Sequence, residues 1–206
     1  MFSSFDVDTG REERPYDRTS SGKARAWPDP RVLSEILEKL GAAKYPILIA
    51  GHGVWWSGAE EKLDMIGREL QLPIFNVPYH QKLLGEDNRA YMGLADIHQY
   101  PPAKFALETS DLVIMVGGRL DNQMNFGNAP FFPCSTYLVC VNGSHDELEM
   151  NRSADALLLS DPGAFFDAVL NLKYKNQWHL DGEWFELNRK KRAMWVNETL
   201  ADLKKE

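Results

Sequence analysis

The sequence predicts an α/β fold: a doubly wound, mainly parallel six-stranded sheet with helices on both faces. Two observations carry most of that expectation. The stretches Tyr45-Pro-Ile-Leu-Ile-Ala-Gly-His-Gly-Val54 and Ser110-Asp-Leu-Val-Ile-Met-Val-Gly-Gly-Arg-Leu-Asp121 are short apolar runs that end abruptly in glycine. An unbroken apolar run suits a strand covered on both faces, and glycine suits a sharp exit into a ligand-side loop. The third observation is alternation, because segments with helical apolar spacing separate the strand-like runs, as in parallel sheets.

The elements follow in order. Residues 1–26 are polar and mixed in charge, with Gly10, Pro15 and Gly22, and read as an N-terminal arm or linker. Asp29-Pro30 starts a helix, with Asp as N-cap and Pro in the first turn. Val32, Leu33, Ile36, Leu37 and Leu40 give that helix an apolar stripe, and Gly41 is placed to end it. Pro46–Ala50 is the first strand. Ser57-Gly-Ala-Glu60 reads as a capping box that opens a helix cored by Leu63, Ile66 and Leu70. Pro73–Val77 is the second strand, followed by a looser segment with Lys82, Gly85 and Gly93. Pro102 opens a helix to about Thr109. Leu112–Val116, Thr136–Val141 and Ala156–Leu159 read as further strands, and Ser144-His-Asp-Glu147 repeats the capping-box pattern. Asp161-Pro162 caps a helix packed by Phe165, Phe166, Val169 and Leu170. A last helix spans about Gly182 to Leu203, with Trp184, Leu187, Met194 and Trp195 as its apolar side. Arg189-Lys-Lys-Arg192 on that helix reads as a solvated face before a phosphate-binding patch.

The chain has 206 residues, 44% hydrophobic content and a formal net charge of -7. That length holds one full domain with extensions, and the charge gives no footprint for nucleic acid. Cys134 and Cys140 supply neither a disulfide framework nor a four-ligand zinc site, and read as buried free thiols. The five histidines are scattered without a metal-binding helical pair, and no metal ligand is expected. No apolar run reaches membrane-spanning length, so no membrane partner is expected and the cytoplasm is the expected compartment.

The loops after the strands hold the candidate site. Gly51-His52-Gly53 could let a phosphate approach the backbone at a helix start, or could form a tight strand-to-helix turn. Arg119 could meet a pyrophosphate or ribose oxygen with its fork of donors, or form a surface pair with Asp121. Asp161 fits an N-cap first and a ribose contact second. There is no nucleophile elbow and no phosphate loop of the Walker type, so no catalytic residue is assigned.

These segments, in their order and spacing from about Arg25 to Leu172, resemble the central domain of thiamine-diphosphate-dependent enzymes such as acetolactate synthase and the 2-oxoacid decarboxylases. Arg25-Ala-Trp-Pro-Asp-Pro30 is similar to the segment that leads into that domain, and Phe5-Asp-Val-Asp8 to the exit from the one before. Lys44–Gly53, Leu72-Pro-Ile-Phe75, Tyr91-Met-Gly-Leu94, Ser110–Asp121, Glu147–Asn151 and Ser160-Asp161 match in turn. The resemblance implies a Rossmann-like, DHS-like NAD/FAD-binding fold over 27–175 and a C-terminal helical extension over 176–206. It implies a nucleotide site at Arg25, Gly51, His52, Gly53, Gly93, Arg119, Asp121, Asn142 and Asp161, taking FAD in some members and ADP in others. Many members bind nothing there. Asn142 and Ser144 stand where the family often has aspartates, Gln123 where flavin synthases carry a second arginine, and Leu94-Ala95 where a methionine-histidine pair is expected.

The resemblance implies that this chain is the nucleotide-binding-like, structural part of an enzyme that makes or breaks a C–C bond next to a carbonyl. Thiamine diphosphate and magnesium would sit in the pyrimidine-binding and pyrophosphate-binding domains of the same enzyme. The parent would be a homodimer or homotetramer. No Gly-Asp-Gly metal motif occurs here, so the isolated chain is expected to be inactive. The arm and the tail both read as parts of a longer chain. The alternative is a stand-alone adenine-nucleotide-binding or scaffold subunit without catalysis. An NAD-consuming deacylase is disfavoured by the lack of four zinc-ligand cysteines.

Overall fold

The computed structural model describes residues 25–78, 83–176, 180 and 182–204. The N-terminal arm before Arg25, including Phe5–Asp8, and His80, Lys82 and His179 lie outside the described residues. Six parallel strands form one sheet: β1 (Pro46–Ala50), β2 (Ile74–Asn76), β3 (Tyr91–Leu94), β4 (Leu112–Val116), β5 (Tyr137–Asn142) and β6 (Ala156–Leu159). Their order is β3-β2-β1-β4-β5-β6. β1 and β4 are fully buried, which explains their unbroken apolar sequences.

The sixth strand is β3, in the segment that the sequence marks as loose. Gly93 sits there with φ +109, a conformation that an L side chain rarely adopts, and a Cβ would lie 2.4 Å from the Tyr100 ring. Tyr100 donates its hydroxyl to Met92 O at 2.6 Å beneath it. Close packing of an aromatic ring therefore accounts for a glycine that reads as a loop signal.

Among the described residues six helices surround the sheet: α1 (Pro30–Ala42), α2 (His52–Ser57), α3 (Glu60–Leu70), α4 (Pro101–Thr109), α5 (Pro162–Asn176) and α6 (Gly182–Leu203). Asp29 caps α1 by accepting from Arg31 N and Val32 N at 2.8 and 3.3 Å. α1 runs one residue past Gly41. Ile36 and Leu40 of α1, Ile66 of α3 and Phe166 of α5 meet Leu48 and Ile114 of the sheet. α4 and α6 form the second helical layer, with Phe105 against Trp184 and Tyr100 against Trp195. The Asp111 carboxylate accepts from Lys44 N and Tyr45 N, both at 2.8 Å, and ties the starts of β1 and β4 together.

Four local expectations need correction. Ser57 is not an N-cap: it is the last residue of α2, and α3 starts after Ala59 with no side-chain cap. Ser144 makes no side-chain cap either, and its segment forms only a short 3-10 turn at His145–Glu147. On α6 the buried residues are Trp184, Phe185 and Asn188, whereas Leu187 and Met194 are exposed. Cys140 is buried but Cys134 is exposed. Burial pushes the Cys140 thiol up from 9.0 to about 12, against a smaller lowering by Arg152.

Candidate functional site

From β1 the chain moves outward to β2 and β3, and from β4 it moves the other way to β5 and β6. The adjacent pair β1 and β4 is therefore the topological switch point, where open parallel sheets leave a crevice beyond the strand ends. Ala50 is in register with Val116, so both glycine loops leave the sheet at the same level.

At this crevice the glycines bring protein against protein. A Cβ on Gly51 would lie 2.4 Å from Gly118 Cα, and one on Gly53 would lie 2.7 Å from Gly117 Cα. Gly117 itself adopts φ +64. Gly51 N donates to Val116 O at 2.9 Å and Gly53 N donates to Gly117 O at 2.7 Å. Val54 N donates to Gly51 O at 3.0 Å. The first turn of α2 thus directs these N–H groups at protein carbonyls.

Above the stitched loops lies an open cavity of about 540 Å³. His52 and Gly53 contribute from the start of α2, Arg119 and Asp121 from the loop after β4, and Asn142 from the end of β5. Trp56, Val77, Pro78, Gly118, Gln123 and Glu147 complete the wall. Arg119 does not pair with Asp121. Its guanidinium reaches Glu147 Oε1 at 3.3 Å and lies 3.7 Å from Met150 Sδ. Asp121 accepts from Gln123 N at 3.1 Å and caps the following 3-10 turn. Asn142 uses both ends of its amide, donating to Gly118 O at 3.4 Å and accepting from Ser144 N at 3.1 Å. Among the described residues no serine, threonine or cysteine lines this wall. The arrangement can bind, by ring contact and amide hydrogen bonds, but offers no activated nucleophile.

The remaining sequence-derived candidates lie elsewhere. Gly51 belongs to the stitched floor, and Gly93 packs on Tyr100. Arg25 and Asp161 meet each other at 3.3 Å beside the end of β6. Asp161 caps α5 through Ala164 N at 3.0 Å. Ser57 joins them: its hydroxyl donates to Asp161 Oδ1 at 2.9 Å and accepts from Gly163 N at 3.1 Å, while its carbonyl accepts from Arg25 at 3.1 Å. Asp161 N also donates to Ala26 O at 2.9 Å. Sequence reasoning did not place Ser57 or Glu147 among the site residues, because each fits a capping-box pattern that the fold does not use.

Residues 33–169 match the family model for the thiamine pyrophosphate enzyme central domain. The chain belongs to that family. Among its relatives, the acetolactate synthase large subunit of Cyanidium caldarium is 25% identical over 78% of this chain and 27% of its own length. The 2-hydroxyacyl-CoA lyase 1 of Mus musculus is 26% identical over 77% of this chain and 26% of its own. The chain thus spans about a quarter of the length of the curated relatives it matches. Benzoylformate decarboxylase from Polynucleobacter necessarius shares the fold, with a TM-score of 0.61 and 21% identity over 79% of this chain and 30% of its own. The six-stranded central domain is therefore the frame that holds the cavity.

Two groups associated with this family can be tested against these residues. For thiamine diphosphate and its metal, no group of three or more His, Cys, Asp or Glu capable of holding a metal ion occurs among the described residues. For a nucleotide diphosphate, the cavity carries one guanidinium against two carboxylates, and N–H groups of its glycine loops are engaged by protein carbonyls. Those residues do not fit a diphosphate. No helix among the described residues is long and apolar enough to cross a membrane.

Proposed function

We propose that this chain serves as the central, structural domain of a thiamine-diphosphate-dependent enzyme that makes or breaks a carbon–carbon bond next to a carbonyl. The match of residues 33–169 to the central-domain model carries this reading. The acetolactate synthase and 2-hydroxyacyl-CoA lyase relatives support the reaction class. Thiamine diphosphate and magnesium would be held by pyrimidine-binding and pyrophosphate-binding domains, with the parent a cytoplasmic homodimer or homotetramer. This domain would supply a rigid sheet against which the catalytic domains pack.

The test is to isolate the native gene product from its source cells with an antibody to this chain, then size and assay it. A product well above 23.5 kDa that turns over 2-oxoacids or 2-hydroxyacyl-CoA substrates only with thiamine diphosphate is the expected result. Activity indifferent to thiamine diphosphate would overturn the reading. So would thiamine-dependent turnover by the purified 206-residue chain alone.

A further inference from the structure

We propose that Glu147 decides what the switch-point cavity accepts: its carboxylate stands in for a ligand's anion at Arg119 and so excludes nucleotide diphosphates. This inference rests on the cavity geometry and is independent of the parent enzyme's reaction. Arg119 is the only arginine or lysine on the cavity wall among the described residues, and Glu147 Oε1 lies 3.3 Å from it. Asp121 adds a second carboxylate to the same wall. A diphosphate brings several negative charges, and like charges at this range repel. Of the backbone donors at the crevice, Gly51 N, Gly53 N and Gly117 N are already engaged by Val116 O, Gly117 O and Val141 O. Arg119 and Glu147 are both partly exposed, with side-chain accessibilities of 52% and 34%, so the ion pair itself is weak. The exclusion therefore comes chiefly from the charge of Glu147, which makes it removable by one substitution.

The experiment titrates ADP into the unmodified chain, Glu147→Gln, Glu147→Arg and the double variant Glu147→Gln with Arg119→Gln, by calorimetry at low salt. Circular dichroism confirms that each is folded. The unmodified chain should show no saturable binding at micromolar ADP. Glu147→Gln should bind about tenfold more tightly, Glu147→Arg more tightly still, and the double variant should lose the gain. Saturable micromolar binding by the unmodified chain would overturn the proposal. It would also fail if folded Glu147→Gln and Glu147→Arg bound ADP no better than the unmodified chain. Both results leave the parent enzyme's thiamine dependence untouched, so the two readings fail separately.

Discussion

At Gly51 and Gly53 the absence of a side chain lets two loops touch. An alanine at Gly51 would place its Cβ 2.4 Å from a backbone carbon that cannot move without dragging the exit of β4. Gly51→Ala should therefore destabilise the chain by about 2–3 kcal/mol, the usual cost of overpacking a closed contact. Gly41 is the control: it lies inside α1 with nothing within 4 Å of the place a methyl group would take, so Gly41→Ala should stabilise by about 0.5–1 kcal/mol. Urea midpoints moving in opposite directions for the two variants would bear this out; equal small shifts would contradict the loop contact. The glycines themselves were legible in the sequence. Their neighbour was not, because Gly117 and Gly118 come alongside only through the strand order that sets β4 beside β1. The same holds for Ser57, whose partners Asp161 and Arg25 lie far from it along the chain, on either side.

Among the elements, α6 shows how a helix can be legible in extent but not in orientation. Its bounds, Gly182 to Leu203, follow from composition. Its buried side does not, since Leu187 and Met194 look as apolar in sequence as Trp184 and Phe185 do. What selects the face is the sheet. Trp184 donates its indole N–H to Pro46 O at 2.9 Å and meets Tyr45 with ring centroids 5.2 Å apart. Asn188 is buried beside it, donating to Trp184 O at 2.9 Å. Trp184→Ala should cost about 3–5 kcal/mol, as large aromatic truncations in cores do. Leu187→Ala should stay within about 0.5 kcal/mol, as surface changes do. Comparable losses in denaturant midpoint for the two would place the packing face elsewhere. β3 was the least legible strand, because Gly93 interrupts its apolar run where the Tyr100 ring needs the space.

For the whole molecule, several acidic groups are held in their neutral forms together. Burial raises Tyr91 and Tyr100 above 10.0, with Glu86 adding to both and Arg192 opposing. Tyr137 is pushed up to about 12 by burial, helped by its hydrogen bond to Glu35. Cys140 rises from 9.0 to about 12. A folded pKa above the unfolded one means that the unfolded chain loses its proton first. These groups thus contribute their full stability below the unfolded value, and lose it as pH rises towards the folded one. The thiol begins to act above pH 9.0 and the tyrosines above pH 10.0, with loss continuing to about 12. The urea midpoint should fall between pH about 9 and about 11. A midpoint that rises over that interval would contradict the burial of these side chains.

The anchorage of Ala26 and Arg25 has a mechanical meaning. Ala26 O receives Asp161 N and the Ser160 hydroxyl, while the Arg25 guanidinium grips Ser57 and Asp161. Force on the chain ahead of Arg25 is therefore delivered to the ends of β6, α2 and α5 at once. The fastening resembles a mortised joint, in which Arg25 and Ala26 are seated where these three ends meet.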